Sequence, residues 1–159
     1  MKRWKRQVGL VCLVTVLHLL VSMVPMVEPW GGRSLIPPAN AQASERQAIA
    51  SSVYELLPDF PRENDYVHTE TGEVAVDNTL VYRMLLYHRS VQSRPLASRF
   101  DWKLTLADYL GVNEWMDEER YPDRFLQANP FHRDIEIIRS LDRQQREELI
   151  QALLIALTP

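Results

Sequence analysis

Few side chains in this sequence have the type and spacing to do chemistry, and histidine offers the widest choice of roles. After residue 43 the histidines are His68, His88 and His132, and none has a second His or Cys three or four residues away. That spacing is what places two metal ligands on one helix face. The sequence therefore predicts no metal site and no cofactor. His88, on the apolar side of a predicted helix, is expected to be a packing residue.

The carboxylates and hydroxyls show no catalytic motif either. The acidic pairs and triplets at 117–119 and 147–148 lie in hydrophilic runs, which predicts ordinary ionised surface rather than an acid–base pair. His132, Asp134 and Glu136 are spaced two apart and so do not share a helix face, which again predicts solvated surface. No glycine-rich phosphate loop or nucleophile elbow occurs. Catalytic groups can still assemble through space, so a small hydrolase-like enzyme with a site near His88 or His132 stays an alternative.

One basic segment stands apart from an otherwise acidic chain. Residues 83–103 carry a formal charge of +4, whereas the rest of the chain after residue 43 sums to −11. Arginine beside aromatic side chains is typical of interface hot spots, and loops between helices often display such residues. The alternative is that these basic groups pair with acidic helices of the same domain while the aromatic ones enter the core. The predicted partner-binding residues are Arg83, Arg89, Arg94, Arg99, Phe100, Trp102 and Lys103.

These residues are expected to be positioned by a mainly α fold, a small bundle of five or six short helices. The first helix is predicted over 44–57, with Ser44 as its cap and prolines after it. Asp77 or Asn78 is predicted to cap a second helix that runs to about residue 90. The apolar stripe of the second helix consists of Leu80, Val81, Met84, Leu85 and Val91.

The middle of the chain combines a hairpin signal with a helix signal. Residues 66–76 alternate around Gly72, which predicts at most one small β-hairpin docked on the helices. Thr105 and Asp108 have the spacing of a capping box, and Gly111 is predicted to end the short helix that follows. Asn113 is predicted to cap one further turn.

The C-terminal part predicts two more helices. Asn129 followed by Pro130 is typical of a helix start. Ser140 is predicted to cap the last helix, which runs to about Leu157 and carries a leucine-rich stripe. The helices together form the single domain predicted for residues 44–159.

The first 43 residues have the pattern of an export signal. A basic start at residues 2–6 precedes an uncharged run at 8–27 and small residues at 39–43, as in a signal peptide. The run is 20 residues long, so it could also remain as an N-terminal membrane anchor. In both cases the domain is predicted to be exported, to the periplasm or the thylakoid lumen, with membrane contact through 8–27 if the run is uncleaved.

The composition of residues 44–159 excludes several function classes. Thirteen Lys and Arg stand against 20 Asp and Glu, and this acidic balance argues against a nucleic-acid partner. The region has no cysteine, which excludes disulfides, thiolate metal sites and a cysteine nucleophile.

Three stretches carry a family resemblance, at residues 39–43 (ANAQA), 71–75 (TGEVA) and 101–111 (DWKLTLADYLG). With them, the chain resembles small exported helical proteins of cyanobacteria that have no assigned function. The resemblance implies no catalytic motif. By analogy of size and compartment, it implies a role in assembling or repairing photosynthetic membrane complexes. We therefore expect an exported, non-enzymatic binding or assembly-accessory protein that docks on a protein partner such as a membrane complex.

Overall fold

The described part of the chain is a bundle of short helices. A computed structural model describes residues 39–122 and 125–158, which belong to one compact unit. The mainly α prediction is confirmed. The predicted leader, including the apolar run at 8–27, lies outside the described residues apart from positions 39–43. The helices are α1, Ala39–Leu56; α2, Leu80–Leu86; α3, Arg99–Tyr109; α4, Phe131–Ser140; and α5, Arg143–Ala156.

Two short turns of other helix types complete these elements. A π-helical turn, Tyr87–Val91, continues α2, and a 3₁₀ turn, Glu118–Arg120, lies between α3 and α4. α1 packs against α2 and α5, while α3 packs against α4 and α5. Val91, the last residue of the apolar stripe predicted for α2, lies in the π-helical turn and is only partly buried. The prediction is confirmed for the other four residues of the stripe, which are fully buried. They meet apolar side chains of the other helices, among them Ile49, Val53, Trp102, Ile138, Leu149 and Leu153.

Several predicted helix starts are wrong by a few residues. α1 is already helical at Ala39, and the Ser44 hydroxyl donates to the Asn40 carbonyl at 3.0 Å instead of capping the helix. α2 is capped by Thr79, whose hydroxyl accepts from the Tyr82 N–H at 3.2 Å. Polar residues cluster before each helix, and only the three-dimensional path of the chain decides which one meets the free N–H groups.

The capping box predicted at Thr105 and Asp108 is also wrong. α3 begins earlier, after Ser98, whose hydroxyl accepts from the Asp101 N–H at 3.3 Å. Thr105 and Asp108 therefore lie inside α3, and both are buried. Their polar side chains must find partners within the protein, because buried polar groups without hydrogen bonds are costly.

Of the three remaining predicted helix starts, one is confirmed and two are wrong. The Asn129 side chain accepts from the Phe131 N–H at 2.9 Å, so the predicted start of α4 is confirmed within one residue. Asp142, not Ser140, caps α5 and forms a capping box with Gln145. The turn predicted after Asn113 is replaced by the 3₁₀ turn, which Asp117 caps.

The predicted hairpin is reduced to isolated bridges in the described residues. Val67 pairs with Val74 in antiparallel fashion, and Gly72 at the tip has a φ of +69°, as predicted. A second antiparallel bridge joins His68 to Leu126, which ties this turn to the segment before α4.

Gly111 ends α3 as predicted. Its φ is +74°, its N–H donates to the Asp108 carbonyl at 2.8 Å, and the next N–H, of Val112, donates to the Ala107 carbonyl at 2.9 Å. This left-handed turn satisfies helix carbonyls that would otherwise lack partners, and glycine adopts it without a steric penalty.

Gly111→Ala should therefore lower the free energy of unfolding by about 1–2 kcal/mol, because an L-residue is strained at this φ. Its Cβ would also lie 3.2 Å from the Arg139 Nη2 atom, the flexible end of a side chain that can move aside. Gly72→Ala is the matched comparison and should show a loss of the same size, because it has a similar φ but nothing near its Cβ. Urea unfolding measures both variants, and wild-type stability of the Gly111 variant would contradict the prediction.

Candidate functional site

The seven residues predicted to bind a partner separate into a buried group and an exposed group. Arg83, Arg94 and Trp102 are buried, so they do not face a partner. The exposed residues are Arg89, Arg99, Phe100 and Lys103. The structure therefore does not bring all seven residues to one surface.

Arg83 lies in the centre of the domain and is paired with Asp134. Both side chains are inaccessible to solvent, and the guanidinium makes two hydrogen bonds to the carboxylate, at 2.6 and 2.7 Å. Further Arg83 N–H groups donate to the Glu63 carbonyl at 2.8 Å and to the Asn78 carbonyl. Burial opposes the charge of Arg83, but the hydrogen bonds and charge of Asp134 outweigh it and raise the arginine pKa. The prediction that Asp134 is solvated surface is wrong for this reason.

Two tyrosines extend the Arg83–Asp134 pair. The Tyr121 hydroxyl donates to Asp134 at 2.6 Å, and the Tyr109 and Tyr121 hydroxyls are 2.9 Å apart. Because the Tyr121 proton is used on Asp134, Tyr109 must be the donor to Tyr121. Burial raises the pKa of both hydroxyls well above the ordinary value. The tyrosines are therefore neutral hydrogen-bond donors in this network.

A second buried pair joins Arg94 to Asp108 of α3. The Arg94 guanidinium donates to one Asp108 oxygen and, at 2.9 Å, to the Thr105 hydroxyl. The Tyr87 hydroxyl donates to the same Asp108 oxygen at 3.2 Å. The polar residues of α3 that resembled a helix cap are thus the internal partners of Arg94.

His88 and Trp102 form a stacked pair beside Arg94. Their ring centroids are 3.7 Å apart, and the His88 Nε2 lies 3.1 Å from the Pro95 carbonyl. A carbonyl can only accept, so Nε2 carries the proton and Nδ1 accepts from the Thr105 hydroxyl at 2.9 Å. Burial, with a contribution from the nearby Arg94 charge, lowers the pKa of His88 to about 4. The expectation that His88 is a packing residue is confirmed, since its ring is fully enclosed and its nitrogens are satisfied.

The exposed basic residues of α3 are partnered by α5. Arg99 and Lys103 both lie against the Glu147 carboxylate, Lys103 at 4.0 Å. The alternative that the basic residues pair with acidic residues of the same domain therefore holds for Arg99 and Lys103, as it does for the two buried arginines. Phe100 is different, because its side chain is 67% exposed at the start of α3.

Trp115, which no motif in the sequence marks as a binding residue, has the most exposed large hydrophobic side chain of the described residues. Trp115 is 92% exposed and lies on the loop at residues 111–116, which we call the Trp115 loop. Asp108 fixes this loop from below, because its second oxygen accepts from the Asn113 amide at 2.7 Å and from the Glu114 N–H at 3.0 Å. Met116, directly after Trp115, is buried in the core. The tryptophan is therefore held out into solvent by fixed residues on both sides.

A concave cleft of about 640 Å³ lies beside Trp115, between the Trp115 loop, the 3₁₀ turn and α4. We call it the Trp115 cleft. Phe131, Ile135 and Met116 contribute apolar surface to it, and Glu114 and residues 117–119 contribute carboxylates. A tryptophan displayed beside a cleft has the composition of a recognition surface. The sequence signal for it was a tryptophan among acidic residues immediately after a glycine-capped helix.

The residues that line the Trp115 cleft also bear on the alternative that the protein is a small hydrolase with a site near His132. His132 lies in it, with Nε2 3.3 Å from a Glu118 oxygen, and both side chains are largely exposed. No serine, threonine or cysteine is among the described residues that line this cleft. Within the described ranges, no three His, Cys, Asp or Glu side chains are arranged to hold a metal ion. The histidine and carboxylate are thus present without the nucleophile that a hydrolase triad requires.

Comparison with known proteins does not assign the chain to a family. No family model matches the chain, and searches of curated proteins and of solved structures find no match. Across residues 39–122 and 125–158, no helix is both long and apolar enough to cross a membrane.

Proposed function

We propose that this protein is an exported, non-enzymatic binding or assembly-accessory module that docks on a partner protein through the Trp115 loop. The observation that carries the proposal is the 92% exposure of Trp115 on a loop fixed by Asp108 and Met116. Tryptophan is the side chain most enriched among residues that dominate interface energies. A fixed loop also loses little conformational freedom on binding, which favours affinity.

The compartment and partner class rest on the sequence. The signal-like pattern of residues 1–43 supports export to the periplasm or thylakoid lumen, either released or anchored through 8–27. The resemblance to small exported cyanobacterial proteins supports a membrane complex, such as a photosynthetic one, as the partner. Docking of a small domain on such a complex requires one exposed recognition surface rather than a catalytic centre.

The basic segment contributes to this function mainly through stability. Arg94 is buried in an ion pair, so exchanging it for Glu would disturb the fold before it could report on binding. Phe100 is the exposed aromatic residue of that segment and offers the competing surface. It lies at the opposite end of α3 from the Trp115 loop, a separation of about 16 Å along an 11-residue helix.

Trp115→Ala should reduce retention of the native partner at least about tenfold, because truncating a central aromatic contact costs about 2 kcal/mol or more. The measurement is quantitative affinity purification of the tagged full-length chain from native membranes after mild cross-linking. Phe100→Ala is the matched control and should retain the partner, because it removes an exposed aromatic side chain elsewhere.

The opposite result identifies the other surface. Loss of the partner from the Phe100 variant, with normal retention by the Trp115 variant, would contradict docking through the Trp115 loop and assign it to the start of α3. Absence of any partner enriched by the tagged wild-type chain over an untagged control would contradict the binding function itself.

A further inference from the structure

We infer that the Trp115 cleft recognises a cationic segment of the partner protein, in which Lys or Arg side chains flank an apolar anchor residue. This inference rests on the proposed function and specifies the chemistry of the docking partner. It depends on three features of the cleft: its charge, its apolar floor and its size.

The charge of the cleft is negative and faces solvent. Glu114, Asp117, Glu118 and Glu119 are all exposed, and each contributes to the lining. The charge of Asp108, at the base, is already paired with Arg94. Glu114 lies 3.8 Å from Arg94 but remains 60% exposed, so it too can reach a partner.

The basic groups in the lining do not cancel this charge. Arg139 is the one arginine among the described lining residues, so a single positive charge stands against four exposed carboxylates. His132 contacts Glu118, but this is an ion pair only when the imidazole is protonated. Carboxylates concentrated in a concave surface focus a negative potential, which attracts cations and repels anionic partners.

The floor of the cleft is apolar and provides the anchor site. Phe131 and Met116 are almost fully buried at its base, Ile135 is half-buried, and Trp115 stands at the rim. An apolar side chain of the partner would be enclosed between the indole and these residues, while its basic neighbours would reach the rim. Tryptophan also binds a Lys or Arg cation over its ring face.

The size of the cleft favours a short segment over a small ion. Its volume of about 640 Å³ is in the range of pockets that enclose a few side chains. The described carboxylates do not form a cluster that would hold a metal ion. A polyanion such as nucleic acid would meet repulsion from the rim. A basic, apolar-anchored protein segment therefore fits the cleft better than these ligands.

The test uses short blocked peptides and the full-length protein in detergent, with binding measured by calorimetry. The first peptide has a leucine flanked by arginines, the second has glutamate in place of each arginine, and the third has alanine in place of the leucine. We expect the first to bind at least tenfold more tightly than either of the others, and its affinity to fall as salt is added.

Two variants assign the binding to the cleft. Trp115→Ala should weaken the first peptide at least tenfold. The double variant Glu118→Gln and Glu119→Gln should weaken it about threefold to tenfold and reduce the salt dependence, since exposed ion pairs each contribute modestly. These two glutamates are exposed, so their replacement should leave the fold intact, which circular dichroism checks.

The outcomes separate this inference from the proposed function. Equal binding of the arginine and glutamate peptides, or affinity unchanged in the double variant, would overturn the cationic segment. If the native partner is still lost from Trp115→Ala in that case, docking through the loop stands with a different chemistry. If the peptide binds as expected but the native partner is retained by Trp115→Ala, the proposed docking role is wrong.

Discussion

Asp134→Ala is expected to lower the free energy of unfolding by about 3–5 kcal/mol, a large part of the stability of a small domain. The variant would leave the Arg83 guanidinium buried without its counter-charge, at a position with no access to solvent. It would also remove the acceptor of the Tyr121 hydroxyl. Chemical denaturation followed by circular dichroism measures the loss, and a change below 1 kcal/mol would contradict it.

A nearby carboxylate provides the control for that experiment. Glu136 lies on the same helix and pairs with Arg133 at 2.8 Å, but both side chains are exposed. Glu136→Ala should change stability only slightly, because solvent screens such pairs. The contrast between the two variants therefore measures the effect of burial rather than the loss of a carboxylate from α4.

The double variant Arg83→Met and Asp134→Leu shows whether the loss comes from the unpaired charge. Removing both partners removes the buried charge, so stability should recover in part. Recovery should be incomplete, because the Asn78 and Glu63 carbonyls would lose the donors that Arg83 supplies. A double variant no more stable than Asp134→Ala would show that packing, rather than charge, dominates at this position.

The second large effect on the free energy of unfolding is expected when the pH is lowered, and it arises from His88. Its pKa in the folded protein is about 4, whereas an unfolded histidine has a pKa near 6.5. Between these values the unfolded chain binds a proton that the folded protein excludes. The contribution to stability is therefore fully present above about pH 6.5, falls as the pH drops towards 4, and levels off below that. The total loss is about 3 kcal/mol.

Comparison with His88→Gln isolates this contribution from that of the carboxylates. Glutamine does not titrate, so the variant should lose less stability than the wild type between pH 7 and pH 4, whatever its stability at pH 7. His132→Gln, which removes an exposed histidine, is the matched control. Parallel stability profiles for the wild type and His88→Gln would contradict the prediction.

The fold class and the main core stripe could be predicted from the sequence because both depend on local periodicity. Leu80, Val81, Met84 and Leu85 fall on one helix face, and the structure buries all four. Helix starts were less predictable, since Ser140 and Asp142 both have capping side chains and only the chain direction before α5 selects Asp142. Local signals thus identify the helices but not their first residues.

The pairing and burial of the charged residues were harder to predict from the sequence. Arg83 and Arg94 look like surface residues in a basic segment, but their partners are Asp134 and Asp108, 51 and 14 residues further along the chain. Pairing over such distances has no sequence spacing that would reveal it. Trp115 was missed for a different reason, because a large aromatic residue is usually buried, and its position among acidic residues after Gly111 does not by itself show that it is exposed.

The two tryptophans of the described residues also give the protein two distinct optical reporters. Trp102 is enclosed in the core and stacked on His88, so its emission should be blue-shifted and sensitive to unfolding and to protonation of the imidazole. Trp115 is surrounded by water, so its emission should be red-shifted and should move to shorter wavelength when a partner covers the indole. Loss of the fold and occupation of the cleft would therefore shift the fluorescence spectrum in opposite directions.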